Sequence, residues 1–99
     1  MAVGLVLQFA NTSLDDYHKV NGLLGIDMNT GTGDWPSGLR SHAAGSTADG
    51  GLVVMEVWES REAQGQYMAG RLGAAIQKGG ITAIPQLTWV DLFSYHTPT

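Results

Sequence analysis

The 99-residue sequence contains no cysteine. That excludes disulfide bridges, thiolate metal sites and a cysteine nucleophile from any reading of its function. Charge is scarce as well: Asp, Glu, Lys and Arg make up 14% of the chain, and the formal net charge is −4. With five Lys and Arg residues and no basic run, the chain lacks the phosphate contacts on which nucleic-acid binding rests. No nucleic-acid partner is expected. Long apolar runs are missing too. No segment approaches the roughly 18 apolar residues that cross a bilayer, so no membrane partner is expected either. The opening MAVGLVLQFA has no positive n-region of the signal-peptide type, and Gln8 interrupts its apolar run. A cytoplasmic protein is the expectation. No G-x-G-x-x-G follows a strand and no phosphate-binding loop or internal repeat is visible, so no nucleotide cofactor is expected.

What the chain has instead is hydrophobic surface, 43% of its residues, and 14 glycines. A chain of this length makes one domain, taken as residues 1–99, and buries only about two-thirds of its unfolded surface. High apolar content with few charges therefore points to a globular oligomer.

The elements follow from periodicity and punctuation. Ala2 to Phe9 reads as a strand apolar on both faces, with Val3, Leu5, Leu7 and Phe9 on one of them. Asn11-Thr12-Ser13 followed by Asp15 and Asp16 opens a helix: a hydroxyl accepts orphan N–H groups and the carboxylates sit at the positive end of the dipole. Leu14, Tyr17, Val20, Leu23 and Leu24 have core-facing spacing, and Gly25 is the stop. GIDMNTGTGDWPSG, residues 25–38, has no sustained period and is long for a connector, which reads equally as a lid or binding loop and as an insertion of no consequence. Met28 and Trp35 within it suggest a loop folded down over something apolar. Leu39 to Gly45 and Leu52 to Trp58 read as two strands joined by a turn through Asp49-Gly50, both positions tolerating positive φ. Ser60 caps a second helix reaching Lys78, with Tyr67, Met68, Leu72, Ala75 and Ile76 as its buried stripe. Gly65, Gly70 and Gly73 weaken that helix and make it dependent on packing. A last strand runs from Gln86 to about His96, long enough to reach a neighbouring subunit. The order β-α-β-β-α-β predicts a ferredoxin-like α+β fold, a four-stranded antiparallel sheet with two helices on one face. The other face is left bare and apolar, which argues for a partner.

The residues His42-Ala43-Ala44-Gly45, the Gly50-Gly51 turn, and Val57-Trp58-Glu59-Ser60 with the helix after it carry a family likeness. Over nearly the whole chain the sequence resembles the dimeric α+β barrel superfamily, particularly its antibiotic-biosynthesis-monooxygenase-like branch. The resemblance implies a homodimer whose two sheets face each other, with a pocket in each subunit between helices and sheet. It also implies a choice among cofactor-free oxygenases on aromatic polyketides, cyclases, isomerases and proteins without a known reaction, because fold alone does not select an activity. Haem-degrading relatives use a histidine in the second helix. Arg61 to Gln77 contains none, so haem is not expected.

His42 is the leading candidate for chemistry. Imidazole titrates near ambient pH, so in an apolar pocket it can take a proton from a phenol or an activated C–H. The bland alternative is a half-buried strand histidine bonded to a neighbour. Arg40, two residues away, or a hydroxyl from Tyr17 or Tyr67, would stabilise the resulting oxyanion. Trp35, Trp58 and Trp89, with Met68 and Asn21, would wall the site for a flat apolar or aromatic molecule, although core packing also accounts for the tryptophans. Glu56, isolated in an apolar strand, needs a partner, and Arg40 on the adjacent strand is the expected one. Asp91 is read as structural or interfacial. His18, His42 and His96 have no metal-ligand spacing, so no metal is expected. Two functions follow: a cofactor-independent monooxygenase-like or cyclase-like enzyme with a His base, or a non-catalytic dimer that binds a small molecule or serves in assembly.

Overall fold

The computed structural model describes residues 2–98. Four strands form one antiparallel sheet: β1 (Val3–Phe9), β4 (Leu39–Ser46), β5 (Leu52–Trp58) and β6 (Gln86–Asp91), in the spatial order β4-β5-β1-β6. A ribbon of two very short strands, β2 (Ile26–Asp27) and β3 (Thr32–Gly33), lies apart from it. With helix α1 (Leu14–Leu24) and a second helical segment, this is the ferredoxin-like α+β plan.

Pairing register decides what each sheet face carries. Leu5 pairs with both Glu56 and Trp89, and Glu56 in turn pairs with His42, so one row runs His42–Glu56–Leu5–Trp89 across the sheet. Opposed residues share a face. The alternate rows bring Leu7, Phe9, Leu52, Val54 and Trp58 to that same face, where they form the main buried cluster. Tyr17 of α1 and Ala63, Tyr67, Met68 and Ile76 of the second helical segment pack onto it. The opposite face carries Val6, Ala43, Val53, Met55, Val57 and Val90, with Met55 49% exposed and Val90 42% exposed.

Helix α1 begins as its sequence dictates. Ser13 Oγ accepts from the Asp16 N–H, Asp16 Oδ2 accepts from the Ser13 N–H, and Gly25 ends the helix at φ 77°. Its buried face is Val20, Asn21 and Leu24 rather than the whole leucine set. Leu14 (66% exposed) and Leu23 (51% exposed) face outward. Each residue turns the helix by about 100°, so Leu23 points well away from Leu24, and Leu14 sits on the first turn.

The second helix is not continuous. α2 (Arg61–Tyr67), capped by Ser60 Oγ accepting from the Ala63 N–H, gives way to a π turn over Met68–Leu72 before α3 (Gly73–Lys78) resumes. Gly70 leaves helical geometry at φ −105°, ψ −106°, and a Cβ on Gly73 would stand 2.5 Å from the Met68 carbonyl oxygen. The glycines are thus what the break is made of. The last strand is shorter than its alternation suggests. Asp91 pairs with Val3, the first residue of β1, so the ladder runs out of partner and residues 92–98 are irregular.

Residues 25–38 also differ from a plain loop. Gly33, at φ 134°, packs so closely against Gly25 that a side chain there would collide with the Gly25 carbonyl. Asp27 Oδ1 accepts from the Asn29 N–H to set the ribbon's turn, and Ile26 is buried beneath it. Two-residue strands are too short to register as a periodic pattern. In the β4–β5 hairpin only Gly50 takes positive φ, not Asp49, and Ser46 pairs with Leu52 across a turn of Thr47 to Gly51.

Candidate active site

His42 lies on the helix-covered face of β4, and its ring is held at both ends. Nδ1 is 2.8 Å from Glu56 Oε2 on β5, and Nε2 is 2.6 Å from the Tyr17 hydroxyl on α1. Glu56 is fixed in turn by the Trp58 indole N–H, which donates to Oε1 at 2.9 Å. The side chains of His42 and Glu56 are 14% and 11% exposed, so the pair is largely out of water. An ionised carboxylate only accepts. In a neutral ring facing that carboxylate, Nδ1 carries the proton and the Nε2 lone pair is turned to the Tyr17 O–H. This is a carboxylate–imidazole dyad with a phenol docked on its basic atom.

Tyr17 sits at a junction. Its ring stacks over His42 at 6.1 Å between centroids and 13° between planes, and its hydroxyl also reaches Met28 Sδ at 3.3 Å. Burial, reinforced by the Glu56 charge and opposed by the Asn21 side chain, raises the Tyr17 pKa above its ordinary 10.0. Tyr17 is accordingly a proton-bearing donor at neutral pH. Asn21 reaches the site only indirectly, its amide donating to the Tyr17 carbonyl at 2.9 Å.

The ribbon covers this cluster from above. Trp35 places its ring 5.4 Å from His42, tilted by 56°, while its indole N–H donates to the Gly31 carbonyl at 2.9 Å. Arg71, from the π turn, ties the ribbon down. Its guanidinium donates to the Leu24 carbonyl at 2.9 Å, and to the Asp34 carbonyl and carboxylate at 3.3 and 2.9 Å. A hollow of about 360 Å³ opens beside the dyad, lined by Trp35, Leu39, Arg40, Ser41 and His42. A larger one of about 490 Å³ lies at the far end of the strands among Phe9, Thr47, Leu52, Ile84 and Gln86. The larger hollow has no imidazole or phenol in its wall, so the smaller one is the candidate site.

Several expectations are corrected here. Arg40 is not the partner of Glu56: it pairs loosely with Glu59 at 3.8 Å, half-exposed, while His42 takes Glu56. The reason is register. A bulge between Leu39 and Ser41 drops Arg40 out of the ladder's alternation, leaving it at the mouth of the hollow. Tyr67 makes no hydrogen bond or ring contact with His42 among the described residues. It lies against Trp58 (5.8 Å) and Arg71 (5.7 Å), and burial raises its pKa, opposed by the Arg71 charge and reinforced by Glu56 and Asp34. Trp58 is 1% exposed and orients Glu56 instead of facing a ligand. Trp89 is in the same row as His42 but three strand spacings away, about 14 Å, beneath the Arg61 guanidinium. Met68 packs on the main core cluster. Asp91 is solvent-exposed and 3.9 Å from Arg61.

Two participants, Glu56 as the imidazole's partner and Arg71 as the ribbon's anchor, do not emerge from sequence reasoning. The first had a signal: counting outward from Ser46–Leu52 places His42 opposite Glu56. The six-residue turn inferred from sequence is one residue too long, and a one-residue slip changes every opposition. Among the described residues no three of His, Asp and Glu cluster to hold a metal ion, and no helix is long and apolar enough to cross a membrane.

No protein-family model matches the chain, and no curated protein matches it. Solved structures do. Rv0793 from Mycobacterium tuberculosis is 20% identical with a TM-score of 0.64, over 98% of this chain and 100% of that one. SnoaB from Streptomyces nogalater, described as a cofactor-independent oxygenase, is 11% identical with a TM-score of 0.64, over 95% of each chain. The ActVA-Orf6 monooxygenase from Streptomyces coelicolor, solved in complex with nanaomycin D, is 18% identical with a TM-score of 0.62, over 99% of this chain and 93% of that one. At such identities the likeness is one of fold. The chain thus has the ferredoxin-like α+β fold of these structures, the fold expected from its resemblance to the antibiotic-biosynthesis-monooxygenase-like branch.

Proposed function

We propose that this protein is a cofactor-independent enzyme in which His42 removes a proton from a flat aromatic or polyketide-type substrate bound beneath Trp35. The observation that carries the reading is the Glu56–His42 pair: Nδ1 lies 2.8 Å from a carboxylate oxygen, which leaves Nε2 as the ring atom to take a proton. Substrate O–H or C–H gives its proton to Nε2, and Glu56, 2.8 Å away, offsets the charge that then appears on the ring. Arg40, at the mouth of the hollow, is placed to stabilise the enolate or phenolate left behind. Where dioxygen is admitted, the electron-rich carbanion is oxidised: one oxygen atom becomes the product carbonyl and the other leaves as water. Where it is excluded, the same carbanion leads to cyclisation or isomerisation. SnoaB and ActVA-Orf6, which share the fold and are described as oxygenases, support the first course.

A homodimer formed through the open sheet face belongs to the same proposal. The chain exposes 6333 Å², against about 5,400 Å² for a typical folded monomer of its mass. The excess of roughly 900 Å² is close to what one partner contributes to a standard interface.

The test is oxygen consumption and product formation with hydroxylated naphthalene and anthracene probes. His42→Ala and Glu56→Gln should lower turnover by about 10²-fold or more while the circular dichroism spectrum is kept. Undiminished turnover in His42→Ala removes the base. One observation favours the second reading, a ligand-binding protein without chemistry: both His42 nitrogens are already bonded within the chain. Native mass spectrometry showing a co-purified small molecule that the protein never converts would decide for it.

A further inference from the structure

The atom assigned as the base is not vacant. Tyr17 OH lies 2.6 Å from His42 Nε2, and a ligand hydroxyl entering from the Trp35–Arg40 hollow must contend with it. Tyr17 also has somewhere else to go. Its single proton can serve His42 or Met28 Sδ, 3.3 Å away in the β2–β3 turn, without the phenol leaving its stack on the imidazole.

We propose that Tyr17 is a specificity-determining residue: its hydroxyl is a built-in competitor for His42 Nε2, displaced only by a hydroxyl more acidic than its own, and on displacement it turns to Met28 in the covering ribbon. Donor strength decides which hydroxyl holds Nε2. Hydrogen bonds to a given acceptor strengthen as the donor becomes more acidic. Burial makes Tyr17 a weaker acid than an ordinary phenol, so acidic phenols and enols outbid it. An aliphatic alcohol, with a pKa several units higher than any phenol, does not. Such a ligand can lie in the hollow but gains nothing from its hydroxyl. The site thereby admits to the base only molecules whose proton it can remove. Since Met28 belongs to the ribbon that carries Trp35, the switch of partner also ties occupation of the base to the cover above it.

The inference rests on the proposed role of His42, and binding alone tests it. Affinities are measured for two hydroxyl–ether pairs, 1-naphthol with 1-methoxynaphthalene and 1-naphthalenemethanol with 1-(methoxymethyl)naphthalene. In the unaltered protein, naphthol should bind more tightly than its ether, and the carbinol no better than its own. Tyr17→Phe keeps the ring and vacates Nε2. Naphthol should then tighten by roughly three- to tenfold, the worth of one net hydrogen bond. The carbinol should now exceed its ether, and both ethers should be unchanged. Met28→Leu, which removes the displaced hydroxyl's refuge, should reduce naphthol's advantage and leave the ethers alone. Unchanged or weakened naphthol binding in Tyr17→Phe, with the fold intact, overturns the proposal. His42→Ala separates the two ideas. If it abolishes every hydroxyl advantage while Tyr17→Phe changes none, Tyr17 is no competitor but His42 stands. If the advantages survive in His42→Ala, His42 is not where the hydroxyl binds, and the proposed function falls with it.

Discussion

A carboxylate in the middle of an apolar strand must find donors, and Glu56 finds two: the imidazole of His42 and the indole of Trp58. Removing the acceptor orphans both. Glu56→Leu should therefore cost about 2–3 kcal/mol in chemical denaturation even though it adds apolar volume. Trp58→Phe loses the indole donor and some buried volume at a residue 1% exposed. It should cost about 1–3 kcal/mol. Its diagnostic effect lies in the proton chemistry: the pH–rate profile should shift, which pure loss of packing does not cause. Tyr17 and Tyr67, both with raised pKa values, give stability its own pH dependence. The unfolded phenols ionise near their ordinary 10.0 while the folded ones stay protonated, so the folded state binds more protons in that window. Their contribution is complete below pH 10 and is lost as pH rises through the folded values. The urea midpoint should fall above pH 10, less steeply in a Tyr17→Phe, Tyr67→Phe double variant.

At the scale of elements, the break in the second helix gives that helix a task. A continuous helix from Ser60 to Lys78 would not show the Gly70 kink, and Arg71 sits within the π turn that reaches the end of α1 and the foot of the ribbon. Gly65 and Gly73 make the contrast testable. A Cβ on Gly65 meets nothing within 4 Å, whereas one on Gly73 runs into the Met68 carbonyl. Gly65→Ala should raise stability by about 0.5–1 kcal/mol through helix propensity. Gly73→Ala should lower it by about 1–3 kcal/mol. Thermal melts of the two variants check the sign. The ribbon's attachment is testable in the same way. Arg71→Met keeps the aliphatic stem and deletes the three hydrogen bonds, so amide exchange should speed up across residues 26–35 and stay unchanged in β1 and β5. Uniform exchange rates before and after would mean that the ribbon holds itself.

For the whole molecule, the open sheet face is the dominant fact. Val6, Val53, Met55, Val57 and Val90 share it, and Phe93, beyond the end of β6, is fully exposed. Sedimentation should give twice the 10.5 kDa chain mass at micromolar concentration. Met55→Asp, placing a charge at the centre of that face, should shift the protein to monomer and expose it to aggregation. A monomeric unaltered protein would end the proposal of sheet-to-sheet pairing.

Local information alone settled much of this protein. Caps at Ser13 and Ser60, the stop at Gly25, strands of matching polarity and their order along the chain were all readable, because each rests on interactions within a few residues. From that order the ferredoxin-like plan followed. Three things needed the folded molecule: the one-residue register of the β4–β5 hairpin, the bulge at Arg40, and the fold of the glycine-rich segment onto α1 and the π turn. Each is decided by contacts between residues far apart in the chain, and each is small in length while large in consequence. In the observed register His42 stands opposite Glu56, and a slip of one residue would put Ser41 there and leave the carboxylate without its imidazole. Local propensity cannot see that difference, since the same residues make equally good strands in either register.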